Sequence, residues 1–340
     1  MGDVAKVAGV SRATASYALR GDPRIVPETA GKVRKAARTL GYTTNLSARS
    51  LRSGRNGVIG VAIFELDKAY PSQMSAAISK EVNRKGLQAI VQQTSNSQEG
   101  EIAVLKEVTS QLCDGTIFSP GQVSDEEIRA LSDNKPMVLL DDFSDEAIFD
   151  TVFTPCEAGA KAAILHLVDV GCRHICVLGN SYRPLRALGE PTTVAGRRLK
   201  GALEGFAESG MAVTEDDFVQ CDQWDFSLAR QQVHCLVESG RSFDGLFCMT
   251  DSLAFGAIRG LVDCGLRVPD DVAVMGFDGV AEDEYMTPSL STISVDIEDL
   301  AHKAVSLLLK RFEGSDEPFV AEKLTAKFKL VARESTAKRR

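Results

Sequence analysis

The chain has 340 residues, 44% of them hydrophobic, and a formal net charge of −8 at neutral pH. This length and apolar fraction are typical of a globular protein with two or three folded units. No run approaches the roughly 18 apolar residues of a membrane-spanning helix, and no apolar leader opens the chain. These features exclude a membrane protein and predict a cytoplasmic one without a membrane partner.

The eight cysteines are scattered along the chain, which favours free thiols in a reducing compartment over a disulfide framework. Cys172, His174 and Cys176 are close in sequence, but alternation along a strand sends their side chains to different faces. No second ligand pair follows at zinc-finger spacing. We therefore predict neither a metal site nor a cofactor.

Charge is distributed unevenly along the chain. Residues 1–55 contain eleven basic and three acidic side chains, a net charge of +8, while the remainder carries −16. A small basic head on a large acidic body is typical of a protein whose head alone binds nucleic acid. A solvated basic face would carry the same charge, so the interpretation depends on a motif in the head.

The first 44 residues supply such a motif. Asp3 is expected to cap a short first helix, Gly9 to turn the chain, and Ser11 to cap a second helix. A third helix is expected to start at Pro27 and to end at Gly41. Two short helices joined by a glycine turn predict a helix-turn-helix.

Four segments of the head and the following linker carry a family resemblance: "DVAKVAGVSRATASYAL", "GDPRIVPET", "LGYTTN" and "SARSLR". They resemble the lactose-repressor/galactose-repressor family of bacterial transcription regulators, and the resemblance extends along nearly the whole chain. It implies a homodimer that binds pseudo-palindromic double-stranded operator DNA and is switched by a small-molecule effector. A repressor is therefore expected, and not an enzyme.

The family's DNA-contacting positions fall on ten residues: Arg12, Ala13, Thr14, Ser16, Tyr17, Arg24, Asn45, Ala48, Leu51 and Arg52. Arg12 can bind a guanine edge and Ala13 offers a methyl contact, while Tyr17 stands where other members often carry Arg or His. Thr14, Ser16 and Asn45 match positions that contact the DNA backbone. Simple exposure to solvent is the alternative interpretation for Ser16.

Residues 45–56 are expected to form a hinge helix and linker. Asn45 is placed to cap a short helix that ends at Leu51, whose neighbours are mainly Ser, Arg and Gly. The prediction is that two paired hinge helices insert both Leu51 side chains into the minor groove at the operator centre. The alternative is that Leu51 packs on its own domain.

From residue 57 onward, apolar strands such as "VIGVAIF", "MVLLD" and "VAVMGF" alternate with amphipathic helices. This alternation predicts an α/β fold with parallel sheets covered on both faces. The resemblance implies a periplasmic-binding-protein-like body of two lobes for effector binding and dimerisation. Lobe 1 is expected at about 57–155 and 293–318, and lobe 2 at about 156–292 and 319–335.

Open parallel sheets bind ligands beyond the carboxyl ends of their strands. The candidate effector contacts are Tyr70, Asp141, Arg198, Trp224, Asp251 and Asp278. The resemblance supplies Tyr70 and supports Arg198, Trp224 and Asp278. Carboxylates and one arginine around an aromatic ring are suited to a polyol. For Asp251, capping of the following helix is the alternative interpretation.

Two departures from the family keep other ligands open. Thr154 and Pro155 stand where members commonly carry an Asp-Asn pair, and Arg183 and Arg186 lie in a long loop that could meet a sugar phosphate or a nucleotide-like anion. A transport-type sugar-binding protein and a sugar-active enzyme are the alternative functions. The basic head argues against the first, and four histidines without a nucleophile at recognisable spacing argue against the second.

Overall fold

The computed structural model describes residues 1–19, 22–42, 55–144, 148–312 and 318–337. The chain divides into two compact units, Met1–Asn56 and Gly57–Arg340, which we call the head and the body. The head is all-helical within its described residues, and the body is α/β.

The head contains three helices: α1 (Gly2–Ala8), α2 (Arg12–Leu19) and α3 (Pro27–Thr39). Gly9 takes a φ of 66°, in the left-handed region that glycine adopts without strain, and so permits the turn between α1 and α2. Ser11 caps α2 as predicted, because its Oγ accepts the Thr14 amide at 3.0 Å. Asp3 does not cap α1, because the helix already begins at Gly2.

The head core is small and rich in alanine. Its members are fully or nearly buried: Val4, Ala5, Ala15, Ala18, Ala30, Val33, Ala36 and Ala37. Short side chains allow three short helices to approach closely, and each buried methyl still adds apolar area to the core. This core fixes α2 while leaving its opposite face exposed.

Lobe 1 of the body is built on a six-stranded sheet in which every pairing is parallel. Its spatial order is β11-β5-β4-β3-β1-β2. The strands are β1 (Val58–Ile63), β2 (Gln88–Gln93), β3 (Gly115–Phe118), β4 (Met137–Leu140), β5 (Asp150–Phe153) and β11 (Lys323–Thr325). The helices are α4 (Ala69–Arg84), α5 (Gln98–Ala103, continued by a π-helical turn Val104–Thr109 and by Ser110–Leu112), α6 (Asp125–Leu131) and α12 (Ile297–Phe312).

Lobe 2 is built on a second six-stranded sheet of order β12-β10-β9-β8-β6-β7, parallel except at the β10–β12 pair. The strands are β6 (Ile175–Gly179), β7 (Phe218–Gln220), β8 (Gly245–Cys248), β9 (Ala273–Asp278), β10 (Ser291–Val295) and β12 (Phe328–Val331). The helices are α7 (Cys156–Asp169), α8 (Leu185–Leu188), α9 (Val194–Ser209), α10 (Phe226–Glu238) and α11 (Asp251–Asp263). The 3-10 turns are Glu215–Asp217, Ala281–Tyr285 and Glu334–Thr336.

The central strands are buried along their entire length, including all residues of β1, β4, β8 and β9. Helices on both faces of a parallel sheet remove both sides of each strand from water, which explains the continuous apolar runs in the sequence. The carboxyl ends of β4 and β9 carry Asp141 and Asp278, so the two sheets place carboxyl groups where the lobes meet.

The chain crosses between the lobes later than expected. All of β10 pairs within the second sheet, so the chain leaves lobe 2 after Val295 rather than near residue 293. The predicted return of the chain to lobe 2 near residue 319 is also wrong, because Lys323–Thr325 pairs in register with β5 of lobe 1. The Ala326 amide still donates to the Phe153 carbonyl at 2.8 Å, and the chain re-enters lobe 2 only after this bond.

All eight cysteines are free, and six of them are buried. Cys172 and Cys176 are buried whereas His174 is exposed, so these three side chains do not share a site. Throughout the part of the chain that the structure describes, each helix is too short or too polar to cross a bilayer.

Candidate DNA-binding surface and effector cleft

The first turns of α2 form one exposed surface of the head. Arg12 and Ala13 are exposed, and Thr14, Ser16 and Tyr17 are half-buried. Capping by Ser11 fixes the start of the helix, and the neighbouring Ala15 is fully buried. Arg12 and Ala13 therefore stand at the N-terminal end of a capped helix, and Tyr17 lies about one turn further along it. The N-terminal end of this helix is the one that helix-turn-helix proteins present to the major groove.

Arg24 is already engaged within the head. Its Nε and Nη2 donate to the Asp22 carboxylate at 2.9 and 2.7 Å, and its guanidinium carbon lies 4.8 Å from the centroid of the Tyr17 ring. Hydrogen bonding to Asp22 raises the pKa of Arg24 further above its ordinary value. A phosphate contact from Arg24 would have to exchange with this exposed ion pair, while the contact with Tyr17 restricts the tyrosine ring.

The hinge predictions lie outside the described residues. Asn45, Ala48, Leu51 and Arg52 all belong to the range 43–54, for which no placement is described. Their proposed roles therefore stay predictions.

In the body, Arg198 bonds to one predicted cleft residue, Asp278, and lies near another, Trp224. Its side chain is 3% exposed, its Nη2 donates to Oδ1 of Asp278 at 2.9 Å, and its Nη1 donates to the Met249 carbonyl. The guanidinium carbon lies 3.8 Å from the ring centroid of Phe277 and 5.6 Å from that of Trp224. Trp224 is held in turn, because its Nε1 donates to the Gly179 carbonyl at 3.0 Å.

Tyr70 and Asp278 approach Arg198 from opposite lobes. Burial raises the pKa of Asp278 to about 7, although the Arg198 charge acts in the opposite direction. Burial also raises the pKa of Tyr70 well above its ordinary value, and the charges of Asp141 and Asp278 act in the same direction. The Tyr70 hydroxyl is buried without a hydrogen-bond partner among the described protein groups. A buried hydroxyl without a protein partner normally forms a hydrogen bond with a ligand or a water molecule.

Asp141 follows β4 with a φ of 55°, and its carboxylate faces Thr154 at the end of β5. Its Oδ1 accepts the Thr154 amide at 2.6 Å and the Thr154 hydroxyl at 2.9 Å. Burial raises the pKa of Asp141. Thr154, where the sequence departs from the Asp-Asn pair that the resemblance leads one to expect, thus offers Asp141 two donors.

Asp251 does not occupy the predicted place. It is fully buried, its Oδ1 accepts the Thr292 hydroxyl at 2.6 Å, and its Oδ2 accepts the Gly279 and Val280 amides at 2.6 and 3.1 Å. Protein donors therefore occupy both oxygens. Capping of α11 is wrong as well, because the N-cap is Thr250. Asp251 instead fixes the loop that follows β9.

Three further charged side chains are exposed or bonded within their own loop. Arg183 and Arg186 are exposed. Asp142 accepts the Ser144 hydroxyl at 3.0 Å and its amide at 3.1 Å, so its carboxylate is used within its own loop. Burial raises the pKa of Asp142.

Sequence reasoning missed two residues. Cys156 is buried, its Sγ lies 3.0 Å from the Thr154 hydroxyl, and burial raises the pKa of its thiol to about 11. Gln73 of α4 in lobe 1 accepts the Ala281 amide at 3.1 Å and donates to Glu282 at 2.8 Å, both in lobe 2. A buried cysteine and a half-buried glutamine have no sequence pattern that would single them out.

Comparisons with known proteins agree with this architecture. Residues 1–45 match the family model "Bacterial regulatory proteins, lacI family", and residues 164–336 match the "Periplasmic binding protein-like domain". The transcriptional repressor PurR of Salmonella paratyphi B is 31% identical over 338 residues, which cover 98% of this chain and 96% of that protein.

Two solved structures are similar over most of their length. A putative LacI-family regulator from Sanguibacter keddieii is 35% identical with a TM-score of 0.74, covering 84% of this chain and all of that one. The lac repressor dimer bound to operator and the anti-inducer ONPF is 26% identical with a TM-score of 0.79, covering 98% of both chains. The predicted fold class is confirmed, and the protein belongs to the lacI family of bacterial regulatory proteins.

Proposed function

We propose that the protein is a transcriptional repressor that binds operator DNA as a homodimer and responds to a small effector held between the lobes of its body. The observation that carries this proposal is the head, in which a buried core and a capped helix present Arg12 and Ala13 outward. Membership of a family of regulators supports a regulatory role over a catalytic one. A DNA partner also supports a cytoplasmic location.

Within the head, we assign base recognition to Arg12, Ala13 and Tyr17. Arg12 has the fork of donors that matches a guanine edge, and the methyl of Ala13 suits thymine. Thr14 and Ser16 are assigned to the DNA backbone, with Arg24 as a phosphate contact once it exchanges with Asp22. The solved lac repressor dimer on its operator supports a two-fold complex on a pseudo-palindromic site.

The hinge completes the proposed DNA contact. Asn45, Ala48, Leu51 and Arg52 follow the three helices of the head in the sequence. A leucine wedge flanked by cations can open a base step while the arginines bind phosphates. Unstacking one step costs a few kcal/mol, which the additional contacts of bent DNA offset. The assignment of Leu51 as this wedge rests on its sequence context.

In the body, we assign effector contacts to Tyr70, Asp141, Arg198, Trp224 and Asp278. Among the described cleft groups, two carboxyl groups stand beside one guanidinium, so they offer no surplus positive charge for a phosphate. The half-buried ring of Trp224 offers an apolar face that suits the CH surface of a sugar. These features support a neutral polyol over a sugar phosphate or a nucleotide.

The experiment that tests the proposal is selection of bound duplexes from a random DNA library, followed by anisotropy titrations of the full-length protein. Enriched sequences should be inverted repeats that bind two chains, and affinity should fall steeply with salt because phosphate contacts release counterions. Arg12→Ala should lose about 1–3 kcal/mol of discrimination at one base pair of each half-site.

The matched control is Arg34→Ala, which removes the same charge from the exposed face of α3. It should weaken binding to all sequences alike, or not at all, and leave the selected sequence unchanged. Selection that enriches no sequence, or a single chain per selected duplex, would contradict the proposed function.

A further inference from the structure

The loop after β9 begins with a strained backbone at the residue that pairs with Arg198. Asp278 has a φ of 131°, in a region that L-residues rarely adopt, and Gly279 follows with a φ of 81°. A Cβ on Gly279 would lie 2.4 Å from atoms of Ser294, so only glycine fits there. Such a backbone persists only where its surroundings hold it in place.

Asp251 holds this strained backbone in place. Its Oδ2 accepts the amides of Gly279 and Val280, the two residues that directly follow Asp278, and its Oδ1 accepts the hydroxyl of Thr292 on β10. The carboxyl group is fully buried. The position of Asp278 against Arg198 therefore depends on a second aspartate beneath the loop.

A third aspartate, Asp283, lies beside Asp251 and has no donors of its own. It is 0% exposed, and neither of its oxygens has a hydrogen-bond partner among the described groups, although Asp251 lies close enough to raise the pKa of its carboxyl group. The nearest cation, Nη1 of Arg333, is 3.8 Å from Oδ2 and already donates to the Leu290 carbonyl at 2.6 Å.

An ionised carboxylate without donors is very costly to bury, and two carboxylates in contact do not both ionise. Asp283 is therefore the member of the pair that keeps a proton, because Asp251 already accepts three hydrogen bonds. Burial raises the pKa of Asp283 to about 9. The charges of Asp251 and Asp278 act in the same direction, and the charge of Arg333 acts in the opposite direction.

The same loop joins the two lobes. Two residues before Asp283, the Ala281 amide donates to Gln73 of α4 at 3.1 Å, and Gln73 donates to Glu282 at 2.8 Å. The Asp283 amide also closes the turn by donating to the Val280 carbonyl at 3.2 Å. The buried pair thus lies beneath a loop that contacts Arg198 on one side and lobe 1 on the other.

We propose that Asp283 is a positioning residue of the effector cleft, whose protonated carboxyl donates to Asp251 and thereby fixes Asp278 against Arg198 and the loop against Gln73. The assignment of Asp278 to the effector rests on the proposed function. The proton-sharing pair does not, so it is tested on the ligand-free, full-length protein.

Asp283→Asn keeps a donor of similar shape without a titrating group, and Asp283→Leu keeps the bulk without a donor. Glu284→Gln, at an exposed neighbour, is the control. The probe is Trp224, the single tryptophan of the chain, which lies beside Arg198. The Leu variant should shift its emission to longer wavelength and increase its quenching by acrylamide, while the Asn and Glu284 variants should retain the wild-type emission.

The second measurement is the pH dependence of the unfolding free energy. Because the folded-state pKa of Asp283 lies above the ordinary value near 4, its contribution to stability is complete below about pH 4 and is lost as pH rises through about 9. Asp283→Asn should remove this decline and melt at a higher temperature than wild type in mildly alkaline buffer. Glu284→Gln should keep the decline.

Either of two outcomes would overturn the proposal. An Asn variant with the same pH decline as wild type would show that Asp283 holds no displaced proton. Emission from the Leu variant that equals that of the Asn variant would show that the donor does not fix the cleft. Neither outcome bears on whether an effector binds, which is measured separately by ligand titration.

Discussion

The head and the cleft present their functional side chains in opposite ways. In the head, Arg12 and Ala13 point into solvent from a helix that is held by a small alanine-rich core. In the cleft, Arg198 and Asp278 are almost fully buried and bind each other. The head therefore has to form its polar contacts with a partner, whereas the cleft already satisfies most of its own.

This difference determines how each site responds to the loss of an arginine. An exposed arginine loses little when it is removed in the absence of DNA, because water solvates its surroundings. A buried arginine is part of the folded structure, and its removal leaves charged partners unpaired. We therefore expect mutations in the cleft to change both stability and function, and mutations on the exposed face of α2 to change function alone.

The largest effect should follow from Arg198→Ala. It leaves the Asp278 carboxylate and the Met249 carbonyl without their donor, and loss of one partner of a buried ion pair typically costs about 3–5 kcal/mol. Urea unfolding followed by Trp224 fluorescence measures this cost in the body alone, because the chain has one tryptophan.

Arg197→Ala is the matched control, since Arg197 lies next to Arg198 on α9 and pairs with Glu157 at a partly exposed site. Arg197 also lies 4.4 Å from the ring centroid of Phe143, but its ion pair keeps access to water, so this variant should lose much less stability than Arg198→Ala. Equal losses in the two variants would show that the buried pair of the cleft does not differ from a half-buried pair on the same helix.

A smaller effect should follow from Ser11→Ala in the head. The variant removes the acceptor of the Thr14 amide and should destabilise α2 by about 1 kcal/mol. Amide hydrogen exchange over Arg12–Leu19 in the full-length protein should become faster, and Ser11→Asp, which retains an acceptor, should restore protection. Unchanged exchange in the alanine variant would show that the cap does not stabilise the helix.

Sequence reasoning succeeded best where local rules decide the structure. Gly9, Ser11 and Pro27 mark turns and helix starts through their own backbone and side-chain chemistry, and each was placed correctly. In the body, apolar strands that alternate with amphipathic helices predicted parallel sheets, which the structure has. The rule that ligands bind at strand ends singled out Asp278, which bonds to Arg198 in the structure. These signals need no knowledge of distant residues.

It failed where distant atoms decide the role of a residue. Asp251 follows a strand as a ligand-binding residue would, yet Thr292 and the loop after β9 take both of its oxygens. The late return to lobe 2 depends on the pairing of β11 with β5. The segment Lys323–Thr325 is too short for its sequence pattern to predict this pairing. The surroundings of Asp283 are likewise set by the tertiary fold. An aspartate without a motif is expected at the surface, whereas Asp283 is fully buried.

Control of the head by the cleft is measured as the operator affinity of the full-length protein with and without effector. A panel of neutral sugars and sugar phosphates identifies the effector first, because a ligand of the native state raises its melting temperature. The effector should then change operator affinity by about 5–150-fold in the wild-type protein, and not in Arg198→Ala. Unchanged operator affinity at saturating effector, or an Arg198→Ala variant with a wild-type response, would show that the cleft does not control DNA binding.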